Sequence, residues 1–257
     1  MSIDFHDRKN RESYAARRAA NEWIELIDRY CHIQDSYILD VGCGGGIYTK
    51  ALAQAGGRVT GVDYSAEMLR GAAENCRRLS NVRLIQGDAL HTGCEAKSFH
   101  IVLERALIHH LRDLDRCFRE ANRVLKSKGR LIIQDRTPED CALPGSPMHL
   151  RGYFFEKYPR LLDIELQRRH SQRKVTRGLE DNGLKVIPET SYWETRKVYD
   201  NFAQLKADLM QRTGRSILHE LTDRELSDLC DFIARQLGDR ESIREKDRWT
   251  IWIAEKQ

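Results

Sequence analysis

Apolar and polar residues alternate in a way that predicts short strands separated by amphipathic helices. Helices are predicted over Ile47–Ala55, from Ser65 to about Leu79, and over Leu114–Leu125, where apolar residues recur at helical spacing. Strands are predicted over Tyr37–Val41, Arg58–Asp63, Val82–Gln86, Phe99–Leu103 and Arg130–Gln134. Strands that alternate with helices are typical of a parallel sheet covered on both faces, so the pattern predicts an α/β fold.

The pattern changes after residue 137, where a cluster of prolines begins. Four of the five prolines lie between Pro138 and Pro159, and the first 137 residues contain none. Because proline fixes φ and removes a backbone donor, residues 138–170 are predicted to be loop-rich. The later elements predicted are helices over Ser171–Asn182, Tyr199–Arg212 and from Thr222, one strand indicated by Leu184–Ile187 together with Tyr192–Trp193, and another over Trp249–Ala254.

The length of the chain fits one large domain, so residues 1–257 are predicted to form a single domain. An N-terminal helix is expected over residues 8–30. Two segments, 138–170 and 195–245, exceed what the sheet needs and are expected to form a helical cap.

A glycine-rich turn follows the first predicted strand, in the string from Ile38 to Ile47 that contains Asp40, Gly42, Gly44 and Gly46. Glycines allow positive φ and a close approach of a ligand to the backbone. Open α/β sheets bind ligands at this end of their strands. A dinucleotide fingerprint would need a third glycine where Ile47 stands, so the turn departs from that motif.

The charge of Asp40 favours one class of ligand for this turn. A pyrophosphate would be attracted by the helix N-terminus but repelled by a carboxylate two residues before Gly42. S-adenosylmethionine carries an ammonium and a sulfonium group, and a charge-assisted contact contributes roughly 1–3 kcal/mol. The turn therefore indicates a cationic nucleoside cofactor and argues against a nicotinamide oxidoreductase.

Two further acids lie at the carboxyl ends of the next two strands. Asp63 ends the second strand, 23 residues after Asp40, where an acid can accept hydrogen bonds from both ribose hydroxyls. Asp88 would accept from an adenine amino group while the Ala89 amide donates to a ring nitrogen, and Met68 would lie on the adenine face. A lone acid at a strand end is often a turn or cap residue. Three at successive strand ends favour nucleoside binding.

These stretches, together with Phe99–Thr137, resemble the class I S-adenosylmethionine-dependent methyltransferases, in the subgroup that includes small-molecule and quinone-precursor methylating enzymes. The resemblance covers about residues 35–137. It implies a Rossmann-like fold with a seven-stranded, mostly parallel sheet, in which an antiparallel last strand, Trp249–Ala254, inserts beside the fifth. Where the family usually has Phe-Asp at the start of the fourth strand, this chain has Phe99-His100; that Asp is commonly structural.

The same resemblance implies roles for individual residues. Asp40 and the three glycines of the turn would line the methionine part of the cofactor. Asp63 would hold the ribose, with Tyr64 beside it among the cofactor-binding residues, and Asp88 and Ala89 the adenine. Tyr14 would fold over the cofactor, or else be a partly buried helix residue.

The end of the fourth strand should face the transferable methyl group. Glu104 and Arg105 are candidates for contact with cofactor or acceptor. His109 and His110 are candidate general bases, because histidine titrates near neutral pH. A base is needed only when the acceptor loses a proton. In the alternative, one histidine packs against the sheet and the other orients the loop.

Composition excludes several other classes of protein. The chain has a net charge of +4, a mean hydropathy of −0.62 and no apolar run of about 18 residues, so no membrane span is expected, and its polar first ten residues do not resemble a leader. Seven cysteines without a C-x-x-C argue against a zinc site and a disulfide framework. Reduced thiols in a cytoplasmic protein fit better.

The sequence thus predicts a methyltransferase that uses S-adenosylmethionine on a small-molecule acceptor, as a monomer or homodimer with no metal. Open alternatives are an RNA or protein acceptor and a non-catalytic cofactor-binding module. The basic segment Arg160–Arg177 and basic residues between Arg8 and Arg18 would recognise an anionic acceptor or RNA, or else be solvated helix faces. The aromatic residues from Tyr153 to Tyr158 would line an acceptor site or fasten the cap.

Overall fold

The structure is a computed structural model that describes residues 19–212 and 214–257, apart from the side chains of residues 188 and 189. Its strands are Tyr37–Val41 (β1), Arg58–Asp63 (β2), Val82–Gln86 (β3), Phe99–Arg105 (β4), Leu125–Asp135 (β5), Leu184–Tyr199 (β6) and Ile243–Lys256 (β7). They form one seven-stranded sheet in the order β3-β2-β1-β4-β5-β7-β6. This confirms the predicted α/β, Rossmann-like fold.

The first five strands pair in parallel, and β7 pairs antiparallel with β5. The last strand therefore inserts beside the fifth, as the resemblance implied. Strand order reverses at β1, which lies between β2 and β4. In that register Val41 pairs with Val62 on one side and Glu104 on the other, so the carboxyl ends of these strands share one edge. Ligands of open α/β sheets bind at such a switch point.

The helices that the structure describes are Asn21–Tyr30 (α1), Ile47–Gln54 (α2), Ala66–Cys76 (α3), Leu114–Val124 (α4), Pro138–Cys141 (α5), Leu150–Lys157 (α6), Pro159–Arg168 (α7), Gln172–Asp181 (α8), Phe202–Met210 (α9) and Asp223–Leu237 (α10). Two predicted caps are present. Ser65 Oγ accepts from the Met68 amide, and Thr222 and Glu225 form a capping box. Among these described helices, none is both long and apolar enough to span a bilayer.

The prediction of a loop-rich segment over 138–170 is wrong, because two of its prolines begin helices. Pro138 and Pro159 are the first residues of α5 and α7. Proline suits this position, since its fixed φ is helical and the first amide of a helix has no intrahelical partner. Thr137 caps α5 by accepting from the Asp140 amide at 3.2 Å. Only Pro144 and Pro147 lie in a connection, the one that precedes α6.

One predicted boundary beside β6 is also wrong. The segments Leu184–Ile187 and Tyr192–Trp193 lie in one strand, β6, as predicted, but Tyr199 is its last residue rather than the first of a helix. The helix begins instead at Phe202, where Asn201 caps it by accepting from the Gln204 amide at 3.0 Å. Tyr199 is fully buried through contacts with residues far along the chain, which local periodicity does not record.

The described residues divide into two compact units, each with its own core. The sheet unit comprises residues 19–135, 170–190 and 250–257, and its core contains Phe118 and Trp252. The helical unit comprises residues 136–169, 191–212 and 214–249, and its core contains Phe154 and Leu229. Full burial of a large apolar side chain contributes about 1.5–3 kcal/mol. The helical unit takes in most of the two predicted cap segments, and a single functional domain stays a prediction.

Candidate active site

The glycine turn after β1 adopts the conformation that its composition predicts. Gly42, Gly44 and Gly46 have φ values of 69°, 52° and 76°, a region that residues with a Cβ rarely adopt. A Cβ at Gly46 would lie 2.9 Å from the Cβ of Ala72, so this glycine permits helix packing. A Cβ at Gly44 would meet nothing within 4 Å. The backbone at Gly44 therefore faces open space.

Asp40 places a buried carboxyl group beneath this turn. Its side chain is 2% exposed, and the Thr49 hydroxyl donates to Oδ2 at 2.6 Å. Burial raises the pKa of Asp40 to about 6, against the opposing effects of the Thr49 hydrogen bond and the Arg105 charge. The carboxyl is therefore mostly ionised at neutral pH, which suits a cationic ligand.

Asp63 links the glycine turn to the start of α3. Its Oδ2 accepts from the Gly44 amide at 2.8 Å, and its Oδ1 accepts from the Ser65 amide at 2.9 Å. The acid predicted to hold the ribose thus also fixes the position of the turn. Next to it, Tyr64 is 69% exposed, whereas Met68 is buried at 3%.

Asp88 and Ala89 follow β3, as predicted for the adenine contacts. Asp88 is exposed, and its Oδ1 accepts from the Leu90 amide at 2.8 Å. Ala89 is half-buried and packs against the core of the sheet unit. The Asp88 carboxylate thus shapes the turn after β3 while remaining accessible to solvent.

Glu104 and Arg105, adjacent at the end of β4, have different surroundings. Glu104 is 1% exposed and lies 3.4 Å from the Cys117 sulfur; its Oε2 has no hydrogen-bond partner within the described residues. Burial raises the pKa of Glu104 to about 8, so it is mostly protonated at neutral pH. The Arg105 guanidinium lies over the Tyr48 ring, 3.9 Å from its centroid. A cofactor contact by either residue stays a prediction.

Trp23 of α1 packs against Tyr48, the same ring that Arg105 covers. Its ring meets the Tyr48 ring edge to face, with centroids 4.6 Å apart, and its Nε1 donates to the Gln134 side chain at 2.6 Å. The contact with Gln134 joins residues 111 positions apart. Tyr14 and the basic residues between Arg8 and Arg18 lie outside the described residues.

The loop after β4 brings His109 and His110 together, with their ring centroids 4.0 Å apart. His109 Nδ1 lies 3.0 and 2.8 Å from the two carboxylate oxygens of Asp135, and the His109 amide donates to Asp135 Oδ2 at 3.2 Å. His110 is exposed. Asp135, at the end of β5, was not predicted as a site residue. The polar run Gln134-Asp135-Arg136 after an apolar strand could have indicated it.

His100 occupies the opposite end of β4. Its Nδ1 accepts from the Tyr37 amide at 2.9 Å, which joins the amino ends of β4 and β1. Burial and the nearby Lys126 lower the pKa of His100, so a neutral ring makes this contact. The departure from the family pattern is therefore a structural feature outside the candidate site.

The aromatic cluster contributes to packing, whereas the basic segment Arg160–Arg177 is divided between the paired Arg168 and Arg169 and exposed side chains such as Arg173 and Arg177. Arg169 binds Glu165 at 2.6 Å, and Arg168 also pairs with that carboxylate. The aromatic residues Tyr153, Phe154, Phe155 and Tyr158 belong to the core of the helical unit or pack against it. In the described part of the chain, no group of three His, Cys, Asp or Glu side chains is arranged to hold a metal ion.

Residues 39–133 match the methyltransferase domain family. A demethylmenaquinone methyltransferase from Tropheryma whipplei is 31% identical over 147 residues, which cover 56% of this chain and 59% of that protein. The chain thus matches less than two thirds of the length of this relative.

Solved structures share the fold at low sequence identity. A candidate methyltransferase of an antibiotic biosynthesis pathway from Anabaena variabilis has a TM-score of 0.70 and 19% identity, with 91% of this chain and 98% of that chain covered. Phosphoethanolamine N-methyltransferase 2 from Haemonchus contortus, in complex with S-adenosyl-L-methionine, has a TM-score of 0.59 and 17% identity, with 99% and 60% covered.

Proposed function

We propose that this chain, a member of the class I S-adenosylmethionine-dependent methyltransferases, transfers a methyl group to a small-molecule acceptor by in-line displacement. The observation that carries the proposal is the buried carboxylate of Asp40 beneath the open backbone at Gly44. That arrangement favours a cation, whereas the pyrophosphate of a dinucleotide would meet a negative charge.

The residues present fit this cofactor by the chemistry of their donors and acceptors. Asp40 and the glycines of the turn would hold its methionine part, and Asp63 would accept from the ribose with Tyr64 beside it. Asp88, the Ala89 amide and Met68 would contact the adenine, and Glu104 and Arg105 would complete the site near β4. When bound, S-adenosylmethionine supplies an electrophilic methyl group on a sulfonium sulfur.

This chain's own contribution to the reaction is alignment and exclusion of water. Holding two reactants in line can supply on the order of 7–11 kcal/mol of the acceleration. His109 and His110 stand at the end of β4, where either would accept a proton from an acceptor that must lose one. We assign the base between them below.

A small-molecule acceptor is favoured over RNA by the internal use of basic side chains. Arg168 and Arg169 bind the buried Glu165, and Arg160 binds Glu225, so half of the six basic side chains of the 160–177 segment are paired with glutamates within the fold. All seven cysteines are free and six of them are buried, which supports a cytoplasmic location. A monomer or homodimer is expected.

Calorimetry tests the cofactor assignment directly. We expect S-adenosylmethionine and S-adenosylhomocysteine to bind one site per chain, and reduced nicotinamide dinucleotide to produce no heat. A tightly bound dinucleotide together with no heat from either sulfur compound would overturn the proposal.

Methyl transfer is tested with methyl-labelled cofactor and a cell extract separated into small molecules, RNA and protein. Label in the small-molecule fraction supports the proposal, and label in RNA or protein would replace it with one of those acceptors. Label in none of the three would instead indicate a non-catalytic binding module. Filter binding of RNA at low and high salt adds a check, because RNA affinity falls steeply with salt.

A further inference from the structure

We infer that Asp135 and His170 are positioning residues that make His109, and not His110, the general base. The acceptor is then a molecule whose attacking group loses a proton as the methyl group arrives, such as a weakly acidic hydroxyl. This inference rests on the proposed function and deepens it.

The contact between His109 and Asp135 defines where the imidazole carries its proton. Nδ1 lies within 3.0 Å of both oxygens of a carboxylate that is 1% exposed. A carboxylate only accepts hydrogen bonds, so Nδ1 carries the hydrogen and Nε2 carries the lone pair. The His109 amide donates to the same carboxylate, which fixes the backbone as well as the ring. This arrangement is the one a histidine base needs.

His170 holds the loop that carries His109. Its Nε2 lies 3.1 Å from the carbonyl oxygen of Ile108 and 3.0 Å from that of Leu111. Carbonyl oxygens only accept, so His170 Nε2 carries a hydrogen shared between them. The ammonium group of Lys174 lies 3.1 Å from the other nitrogen, Nδ1, and donates to it. The two carbonyls flank His109, so His170 anchors both ends of the short turn.

The start of the loop is also restrained. Ala106 has a φ of 50°, which is uncommon for a residue with a Cβ, and its amide donates to the Gln134 carbonyl at 2.8 Å. Local strain of this kind persists when surrounding contacts hold it in place. His109 is thus oriented from β5 and from His170, whereas His110 is exposed to solvent.

The attacking atom of the acceptor forms a bond to the methyl carbon, and the electron pair of the broken carbon–sulfur bond stays on sulfur, which becomes neutral. His109 Nε2 takes the acceptor's proton, and the Asp135 carboxylate stabilises the imidazolium. The imidazolium then releases that proton to water. An acceptor that already has a reactive lone pair, such as a tertiary amine or a thioether, would need no general base and no residues to position one.

Nitrogen NMR of the complete chain, labelled in its histidine rings and saturated with S-adenosylhomocysteine, tests the assignment at a pH where His109 is neutral. We expect its hydrogen on Nδ1. In Asp135→Asn the side-chain amide donates to Nδ1 and moves the hydrogen to Nε2. In His170→Asn we expect a mixture of the two forms. His109→Gln identifies the signal.

His100→Asn is the matched control, because His100 hydrogen-bonds at the other end of the same strand and should leave the His109 form unchanged. A hydrogen on Nε2 of His109 in the unaltered protein would overturn the inference. Binding of S-adenosylhomocysteine, measured by calorimetry on each variant, separates this failure from failure of the proposed function. We expect its affinity to stay within twofold in Asp135→Asn and His170→Asn.

Turnover gives a second readout once labelled product appears in the small-molecule fraction. We expect His109→Gln to lower kcat by about 10²-fold or more, and Asp135→Asn by at least about tenfold, with KM for the cofactor within twofold. His110→Gln alters the ring beside His109 and should lower kcat less than His109→Gln does, and an equal or larger loss would overturn the inference. Unchanged turnover in Asp135→Asn and His109→Gln would overturn the inference.

Discussion

Glu165 in the helical unit and Asp40 in the sheet unit are both buried carboxyl groups, yet their surroundings are opposite. Although burial alone would raise the pKa of Glu165, the charges of three arginines hold it far below its usual value. For Asp40, burial outweighs the hydrogen bond from Thr49 and the charge of Arg105, and its pKa rises to about 6. Pairing with arginines therefore gives Glu165 a structural role in the helical unit. Asp40 of the sheet unit costs stability when ionised, yet it is retained at the edge of the sheet where the cofactor is expected to bind.

Other residues of the two units extend the contrast. In the helical unit, Arg215 is 1% exposed and binds Asp208 and Glu245, each at 2.6 Å. Against the effect of burial, Arg215 lowers the pKa of Asp208 to about 2. In the sheet unit, burial raises the pKa of Glu104 to about 8. Such a shift costs stability, so we expect Glu104 to have a role in binding or chemistry.

Loss of the Glu165 charge should have the largest effect. Glu165→Gln leaves three arginines without their common partner, and removal of one member of a buried ion pair costs about 3–5 kcal/mol. Urea unfolding at pH 7 measures this loss, and binding of S-adenosylhomocysteine to the remaining folded protein should persist. A loss of unfolding free energy below about 1 kcal/mol would contradict the contrast drawn between Glu165 and Asp40.

The pH dependence of stability should show the ionisation of the Glu104 carboxyl group. The pKa of Glu104 is about 8 in the folded protein against an ordinary value of 4.5, so the folded state holds the extra proton between those values. Stability should therefore fall as pH rises from 5 to 9, by roughly 2–4 kcal/mol after allowance for relaxation. Glu104→Gln should flatten this slope.

Glu120 provides the matched control for that experiment. Hydrogen bonds from Arg123 and Thr92 overcome the effect of burial and lower its pKa to about 2. Its contribution to stability is present above pH 4.5 and is lost as pH falls toward 2. Glu120→Gln should lower stability at pH 5 and pH 9 alike and leave the slope between them unchanged. If Glu104→Gln behaves in the same way, Glu104 is not the titrating group.

Asp40→Asn should separate binding from stability. We expect the dissociation constant of S-adenosylmethionine to rise about ten- to a hundredfold, since a charge-assisted contact is lost. Stability of the cofactor-free protein at pH 8 should be unchanged or higher by up to about 3 kcal/mol, because a buried ionised carboxyl is removed. The asparagine oxygen can still accept from Thr49.

Calorimetry and urea unfolding on the same Asp40→Asn preparation make this comparison. Asp28→Asn is the control, because Asp28 accepts from the Ile33 amide at 2.8 Å and its replacement should not alter cofactor affinity. Equal cofactor affinity in Asp40→Asn and the unaltered protein would contradict the assigned role of Asp40.

An exposed ion pair should show the smallest effect. Lys206 and Asp231 are 3.2 Å apart, with side chains 42% and 56% exposed. Lys206→Gln should change the free energy of unfolding by less than about 1 kcal/mol, because solvent screens such pairs. A loss as large as that of Glu165→Gln would show that burial does not account for the difference between the pairs.

Elements whose formation depends on residues a few positions apart could be predicted well from the sequence. The strands β2 and β3 have the predicted bounds, and Ser65 and Thr222 cap helices as expected. A cap depends on a side chain and an amide three positions away, and strand alternation depends on neighbouring residues. The prolines show the limit of such reasoning, since Pro159 begins a helix where its type alone indicated a break.

The candidate site could be predicted only in part. Asp40 and the glycine turn could be predicted, because one short stretch of the sequence contains both. The partnership of His109 with Asp135 was not, since the two residues are 26 positions apart and meet through the pairing of β4 with β5. His170, which is 62 positions from Ile108, left no signal in the sequence beyond its residue type.

By itself, the sequence determined the alternation of strands and helices, the positive φ values of the glycine turn and the presence of an acid at or near the carboxyl end of each of three strands. These depend on residue types within a few positions of one another. Only the tertiary structure decided which buried charges are paired and which histidine lies against a carboxylate. Those outcomes depend on burial and on distances between residues far apart in the chain, and the free energy of a charge depends on both.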